Sequence, residues 1–203
     1  MAVSNIFKSQ IQNRNFLTPV GFKLILNRCP KVAFFGNSAN IPGIDLGVAN
    51  QSTYLKDIDT PGDKIQFQDF VVKFLVDENL ENYMEIQKWM RGLGYPDSLE
   101  EIYNLQKEQQ YVDSTSTKLM NIYSDATMNV LTSSQNTNFK IKFKDIWPYS
   151  LSTLNFDATD ADIQYLTAEV SFKYTIYNIV NLDGDPLWLI LIMCKKCGKK
   201  IQK

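Results

Sequence analysis

Histidine is absent from the 203 residues. Its absence excludes Ser-His and Cys-His nucleophile pairs, histidine-ligated metals and the commonest general base near neutral pH. Cysteine is scarce: Cys29, Cys194 and Cys197 do not make a disulfide framework. Nothing at the N-terminus resembles a signal peptide, so the chain reads as one made and kept in a cytoplasm. The apolar run Leu187 to Cys194 is too short to span a bilayer, and no membrane partner is expected. An excess of basic charge is also missing. With 21 Lys and Arg against 22 Asp and Glu, the net charge is -1, which leaves no basic stripe to expect and no footprint for tight nucleic-acid binding.

What is present is an ordinary soluble composition, 44% hydrophobic and 21% charged, long enough for one well-buried core or one core with a large insertion. The 12 Phe and 10 Tyr fall mostly in alternating segments and favour β structure. Phe139, Ile141 and Phe143 alternate with Lys140, Lys142 and Lys144, the period of a strand with one apolar and one wet face. Proline cannot donate to a ladder, so the corner Ile146-Trp147-Pro148 is expected to end that strand. After an acidic turn from Asp157 to Asp162, a second strand is expected through Val170, Phe172, Tyr174 and Ile176.

Earlier in the chain, Ser4 to Gln12 suits a short helix capped by Ser4. Strands over Phe22 to Leu26 and Lys31 to Phe35 would make a hairpin across Arg28-Cys29-Pro30. A third strand is expected over Thr53 to Ile58, followed by a turn at Thr60-Pro61-Gly62-Asp63. Ile65 to Val76 reads as one long strand whose phase shifts near Asp69, the mark of a bulge. Asp77 then caps a helix carrying Leu80, Tyr83, Met84, Ile86 and Met90 on its apolar side, with Trp89 as a packing residue and Gly92 and Gly94 as its stop. Residues 95–138 read as a polar insertion or long loop with a short strand from Ala126 to Leu131. Asp183-Gly184-Asp185-Pro186 sets off a C-terminal tail, 181–203, from a single domain over 1–180.

Chemistry-bearing clusters are weak. Cys194 and Cys197 have half-site spacing for zinc, but only Cys29 remains to complete four ligands. Asp157, Asp160 and Asp162 lack the alternating oxygens and sixth-position glycine of a calcium loop, and Asp57, Asp59 and Asp63 give the same answer. No nucleotide-binding loop or nucleophile elbow is present. Neither a cofactor, a metal nor a catalytic residue is expected. A stand-alone β-sandwich ligand-binding module, with Tyr54, Tyr149 and Tyr165 as an aromatic platform, is the competing reading.

The order of pieces carries a resemblance. The segment Ser38-Ala39-Asn40-Ile41-Pro42-Gly43, the Pro61-Gly62-Asp63 turn, the strand Phe67 to Val76 running into Asp77-Glu78-Asn79 and a helix, and the block Ile141 to Tyr177 with its Trp-Pro corner resemble the tail tube proteins of contractile-tailed bacteriophages. The likeness covers about residues 5 to 180. It implies a mainly β, antiparallel sandwich or barrel-like subunit with one flanking helix. It also implies six-fold rings that stack around a lumen for DNA and the tape-measure protein, without sequence-specific DNA binding. Sheath and baseplate proteins would be the other partners, in a virion tail assembled in the host cytoplasm; a baseplate-junction or tube-initiator role is the nearest alternative. Tyr54, Lys56, Asp57, Asp59, Asp63, Lys64 and Gln66 are the candidate ring or stacking interface, and Phe74, Trp89, Phe143, Trp147 and Phe172 the core anchors.

Overall fold

The computed structural model describes residues 16–107, 122–156 and 165–187. Within them the elements run β1 (Phe22–Leu26), α1 (Pro30–Phe34), β2 (Gly36–Ala39), β3 (Ile44–Gln51), β4 (Ile58–Phe67), β5 (Phe70–Leu75), α2 (Glu81–Gly94), α3 (Glu100–Lys107), β6 (Ser124–Leu131), β7 (Thr137–Leu151), β8 (Thr167–Lys173) and β9 (Ile176–Val180). The expected helix at 4–12, the acidic turn at 157–162 and the tail beyond Leu187 lie outside the described residues.

All strand pairs are antiparallel. One layer is β1-β6-β7-β9 and the other β7-β8-β5-β2, with β7 shared. Alternation explains both layers. Leu24, Met128, Ile141 and Phe143 point inward from the first, and Phe70, Val72, Phe74, Val170 and Phe172 from the second, all buried. The layers meet through rings, with Phe70 and Phe143 centroids 4.3 Å apart and Phe70 and Phe172 6.0 Å apart. Trp147 is half-buried at the edge of this core.

The Trp-Pro corner does not end its strand. β7 pairs β6 up to Ile146 and β9 up to Lys144, then continues on β8 from Trp147 to Leu151. At Pro148 only one side of the strand is paired, so its missing N–H breaks no ladder. Asp145, at a φ of 55°, turns the strand where it changes partners. The opposite correction applies downstream: the strand expected through Ile176 divides at Tyr174 and Thr175 into β8 and β9, which pair different parts of β7.

The strand expected over Lys31 to Phe35 is instead helix from Pro30 to Phe34, with Phe35 as its C-cap. Pro30 stands at the first helical turn, where no N–H is missed, and the single turn is docked by Val32, which is fully buried, and by the Lys31 amide on Glu85 Oε2 at 3.3 Å. β1 therefore pairs β6 instead. The segment 95–138 is not a loop throughout: α3 follows α2, and β6 is longer than expected and lies between β1 and β7.

Asp77 does not cap α2. Leu80, in the left-handed region at φ 58°, precedes the helix, and the buried Asn82 closes the entry. Its Oδ1 accepts from the Asp77 amide at 3.2 Å, and its Nδ2 donates to the Leu75 carbonyl at 2.7 Å. The buried side of α2 is Asn82, Ile86, Trp89 and Gly92, whereas Met84 is exposed. Trp89 donates Nε1–H to the Ile122 carbonyl at 3.1 Å, beneath the Arg28 guanidinium.

Candidate assembly interface

β3 and β4 form a separate two-stranded sheet that leaves the body as an arm. The phase shift expected as a bulge at Asp69 is the point where the chain leaves this arm for β5. Thr53 to Asp57, expected as strand, make the tip, where the Thr53 hydroxyl bonds the Lys56 carbonyl. Thr60 to Asp63, expected as a turn, lie inside β4. Two-stranded sheets have two open edges, so Pro61 costs no bond there, and the extra residues are absorbed where Leu46 faces Ile65 but Val48 faces Pro61. A Cβ on Gly62 would stand 2.5 Å from the Gly47 carbonyl oxygen, so the crossing needs glycine.

Opposed residues of an antiparallel pair share a face. Ile44, Leu46 and Val48 stand opposite Phe67, Ile65 and Pro61, giving the arm one apolar face; Asp45, Gln66, Ala49 and Thr60 occupy the other. Ile44, Leu46, Val48 and Ile65 are half or more exposed, and Tyr54 at the tip is fully so. Among the described residues both edges of this hairpin are unpaired and most of its apolar face is exposed.

The arm is anchored at its base by Tyr174, in the β8–β9 break, and by Tyr177 of β9. Tyr174 donates its hydroxyl to the Gln68 carbonyl at 2.8 Å, and Tyr177 to the Pro42 carbonyl at 3.1 Å. Phe67 packs edge-on against the Tyr177 ring, with centroids 5.6 Å apart. Burial pushes the Tyr174 phenol up to about 12, helped by Tyr177 and Asp69. Beside them, the Lys173 ammonium and Tyr149 hydroxyl both bond the Asp69 carboxylate, holding it below the usual carboxylate range.

All seven expected interface residues lie on this arm: Tyr54, Lys56 and Asp57 on the tip, Asp59, Asp63, Lys64 and Gln66 along β4. The apolar face was not among them, although the alternation of Ile44, Leu46 and Val48 with Asp45, Gly47 and Ala49 is visible in the sequence. The aromatic platform is not assembled. Tyr54 is on the tip, Tyr149 is tied to Asp69, and Tyr165 lines a different groove with Phe156 and Leu166. A groove of about 500 Å³ between the helices is edged by residues already paired, including Lys31 with Glu81 and Arg91 with Glu101 at 2.6 Å. One expectation about charge is also corrected: the near-neutral chain does carry a basic face, because Lys23, Lys140, Lys142 and Lys144 share the outer side of the β1-β6-β7-β9 layer.

Among known structures, similar chains include one in the sheath–tube complex of an extracellular contractile injection system (PVC) in its extended state. It is 12% identical, with 83% of this chain and 94% of that one covered and a TM-score of 0.50. Another comes from the anti-feeding prophage cap (AFP tube terminating cap), 12% identical, with 88% and 99% covered and a TM-score of 0.50. At this identity the likeness establishes the fold, a mainly β antiparallel architecture with few helices. No curated protein sequence matches the chain. The family described as phage tail tube protein matches residues 2–180, and the chain belongs to that family.

Proposed function

We propose that the chain is the repeating subunit of a contractile tail's tube, forming six-membered rings that stack around a lumen through which DNA and the tape-measure protein pass. The observation that carries this reading is the β3–β4 arm. It extends the subunit by ten residues of β4 with both edges open and an apolar face uncovered, and ring closure or stacking removes both liabilities. Sheath and baseplate proteins are the further partners, the virion tail is the location, and assembly takes place in the host cytoplasm. Function in this reading resides in interfaces and in the shape of the conduit.

The experiment is negative-stain electron microscopy of the purified chain at low and high concentration, with its mass in solution. Hollow tubes or six-fold rings of uniform width are expected. A strict monomer at every concentration, including after addition of baseplate components, would overturn the proposal. The variant Asp59→Lys/Asp63→Lys is expected to abolish assembly while leaving thermal unfolding unchanged, since both side chains are exposed.

A further inference from the structure

Resting on the tube reading, we infer that the lysine-bearing outer face of the β1-β6-β7-β9 layer receives the acidic β3–β4 arm of a second copy of the chain. The strand registers set the face. Lys23, Asn129, Lys140 and Val180 form one cross-strand row, Ile25, Thr127, Lys142 and Asn178 the next, and Lys144 and Ile176 a third. Their neighbours Leu24, Met128, Ile141 and Phe143 are buried, which turns the lysines outward: Lys23, Lys142 and Lys144 are exposed and Lys140 is half-buried, while Val180 at the end of the first row is buried. Along β7 the three ammonium groups repeat every second residue, about 7 Å apart along the backbone.

No ion pair joins Lys23, Lys140, Lys142 or Lys144 to an acid among the described residues. The acids of these four strands, Asp125 and Asp145, lie at one end, where Asp125 Oδ1 accepts the Asp145 amide at 3.4 Å. The other layer is different. There Lys73 meets Glu169 at 3.1 Å and Lys173 meets Asp69, so its outer charges are satisfied within the subunit. Between Ile44 and Phe67 the arm carries Asp45, Asp57, Asp59 and Asp63 against Lys56 and Lys64, and none of these acids has an ion-pair partner among the described residues. Among the described residues, one chain thus holds a basic face without ion pairs and an acidic projection.

The apolar parts also correspond. Ile25 and Ile176 are partly exposed among the lysines, whose methylene stems extend the apolar surface, and the arm brings Ile44, Leu46, Val48 and Ile65. Because arm and face are different surfaces, the contact is head-to-tail, the kind that closes a ring or propagates a stack. Charge complementarity selects the neighbour and its register, while the apolar stripe supplies most of the burial.

The test mixes isotopically labelled and unlabelled chains, joins touching carboxylates and amines with a zero-length carbodiimide, and maps the amide bonds by mass spectrometry. Links from Asp59 or Asp63 to Lys140, Lys142 or Lys144 between labelled and unlabelled chains are expected. Such links in dimers that never form tubes would support this contact and sink the tube reading. Tubes whose arms are linked elsewhere would sink only the contact, and absence of any arm-to-face link would sink it as well. In parallel, Lys140→Glu/Lys142→Glu should raise the concentration at which assembly begins by about tenfold or more. Adding Asp59→Lys/Asp63→Lys to that chain should restore it. Failure of restoration in a chain with wild-type circular dichroism, or unchanged assembly of the lysine variant with loss of duplex DNA binding, would overturn the inference, the latter by making the face a polyanion site.

Discussion

Trp89 shows how much one residue carries. It is 2% exposed, lies 6.3 Å from the Phe172 ring, and is fixed by the Ile122 carbonyl and the Arg28 guanidinium. Trp89→Ala is expected to lower the free energy of unfolding by about 3–5 kcal/mol, read from urea denaturation, because a cavity and an orphaned carbonyl are left together. A loss below about 1 kcal/mol would mean that α2 is not seated on the sheet as described. Tyr174 gives a prediction in pH. Its folded value is raised to about 12 from an ordinary 10.0, chiefly by burial, so the folded chain keeps a proton that the unfolded chain releases first. The associated stability is complete below pH 10 and is lost as pH rises toward 12. Cys29, raised from 9.0 to about 12 by burial, slopes the same way. Stability should therefore fall between about pH 9 and 12, and more gently in Tyr174→Phe, which also loses its bond to Gln68 at a cost of about 1 kcal/mol. An unchanged slope in that variant would exclude Tyr174 as a source.

At the scale of elements, the arm and the body separate. Gly62→Ala places a methyl group against the Gly47 backbone inside the arm, where no flexible side chain can yield. The expected result is faster hydrogen exchange over 44–67 and impaired assembly with little change in unfolding of the core; equal exchange would show that the strands can part to admit the methyl. The arm also explains what the sequence could reveal. Inner faces were legible at Phe139 to Phe143 and Phe70 to Phe74 because burial imposes period two on each strand by itself. Partner changes were not, because proline at 61 and 148 signals a break only if both sides of the strand are paired, and at both places one side is open. The helix entry was misplaced at Asp77 for a similar reason: any Asp before acidic residues suits a cap, while the Asn82 bond to Leu75 depends on a strand end brought alongside by the fold. The candidate interface residues clustered on one arm, but its apolar face was missed because punctuation at Pro42-Gly43 and Pro61-Gly62 obscured the alternation between them.

At the scale of the molecule, β7 ties the layers together. Its fifteen residues pass through the turn at Asp145, with β6 and β9 bonded along the part before it and β8 along the part after. Load passed from β6 or β9 to β8 would cross β7 and shear those ladders lengthwise, so that many hydrogen bonds must rupture at once rather than peel in sequence. A subunit built this way resists being stretched along β7 much more than it resists bending at the base of its arm. Thrust crossing from one layer to the other would be borne by that one backbone, and compliance would be left to the joint at the base of the arm.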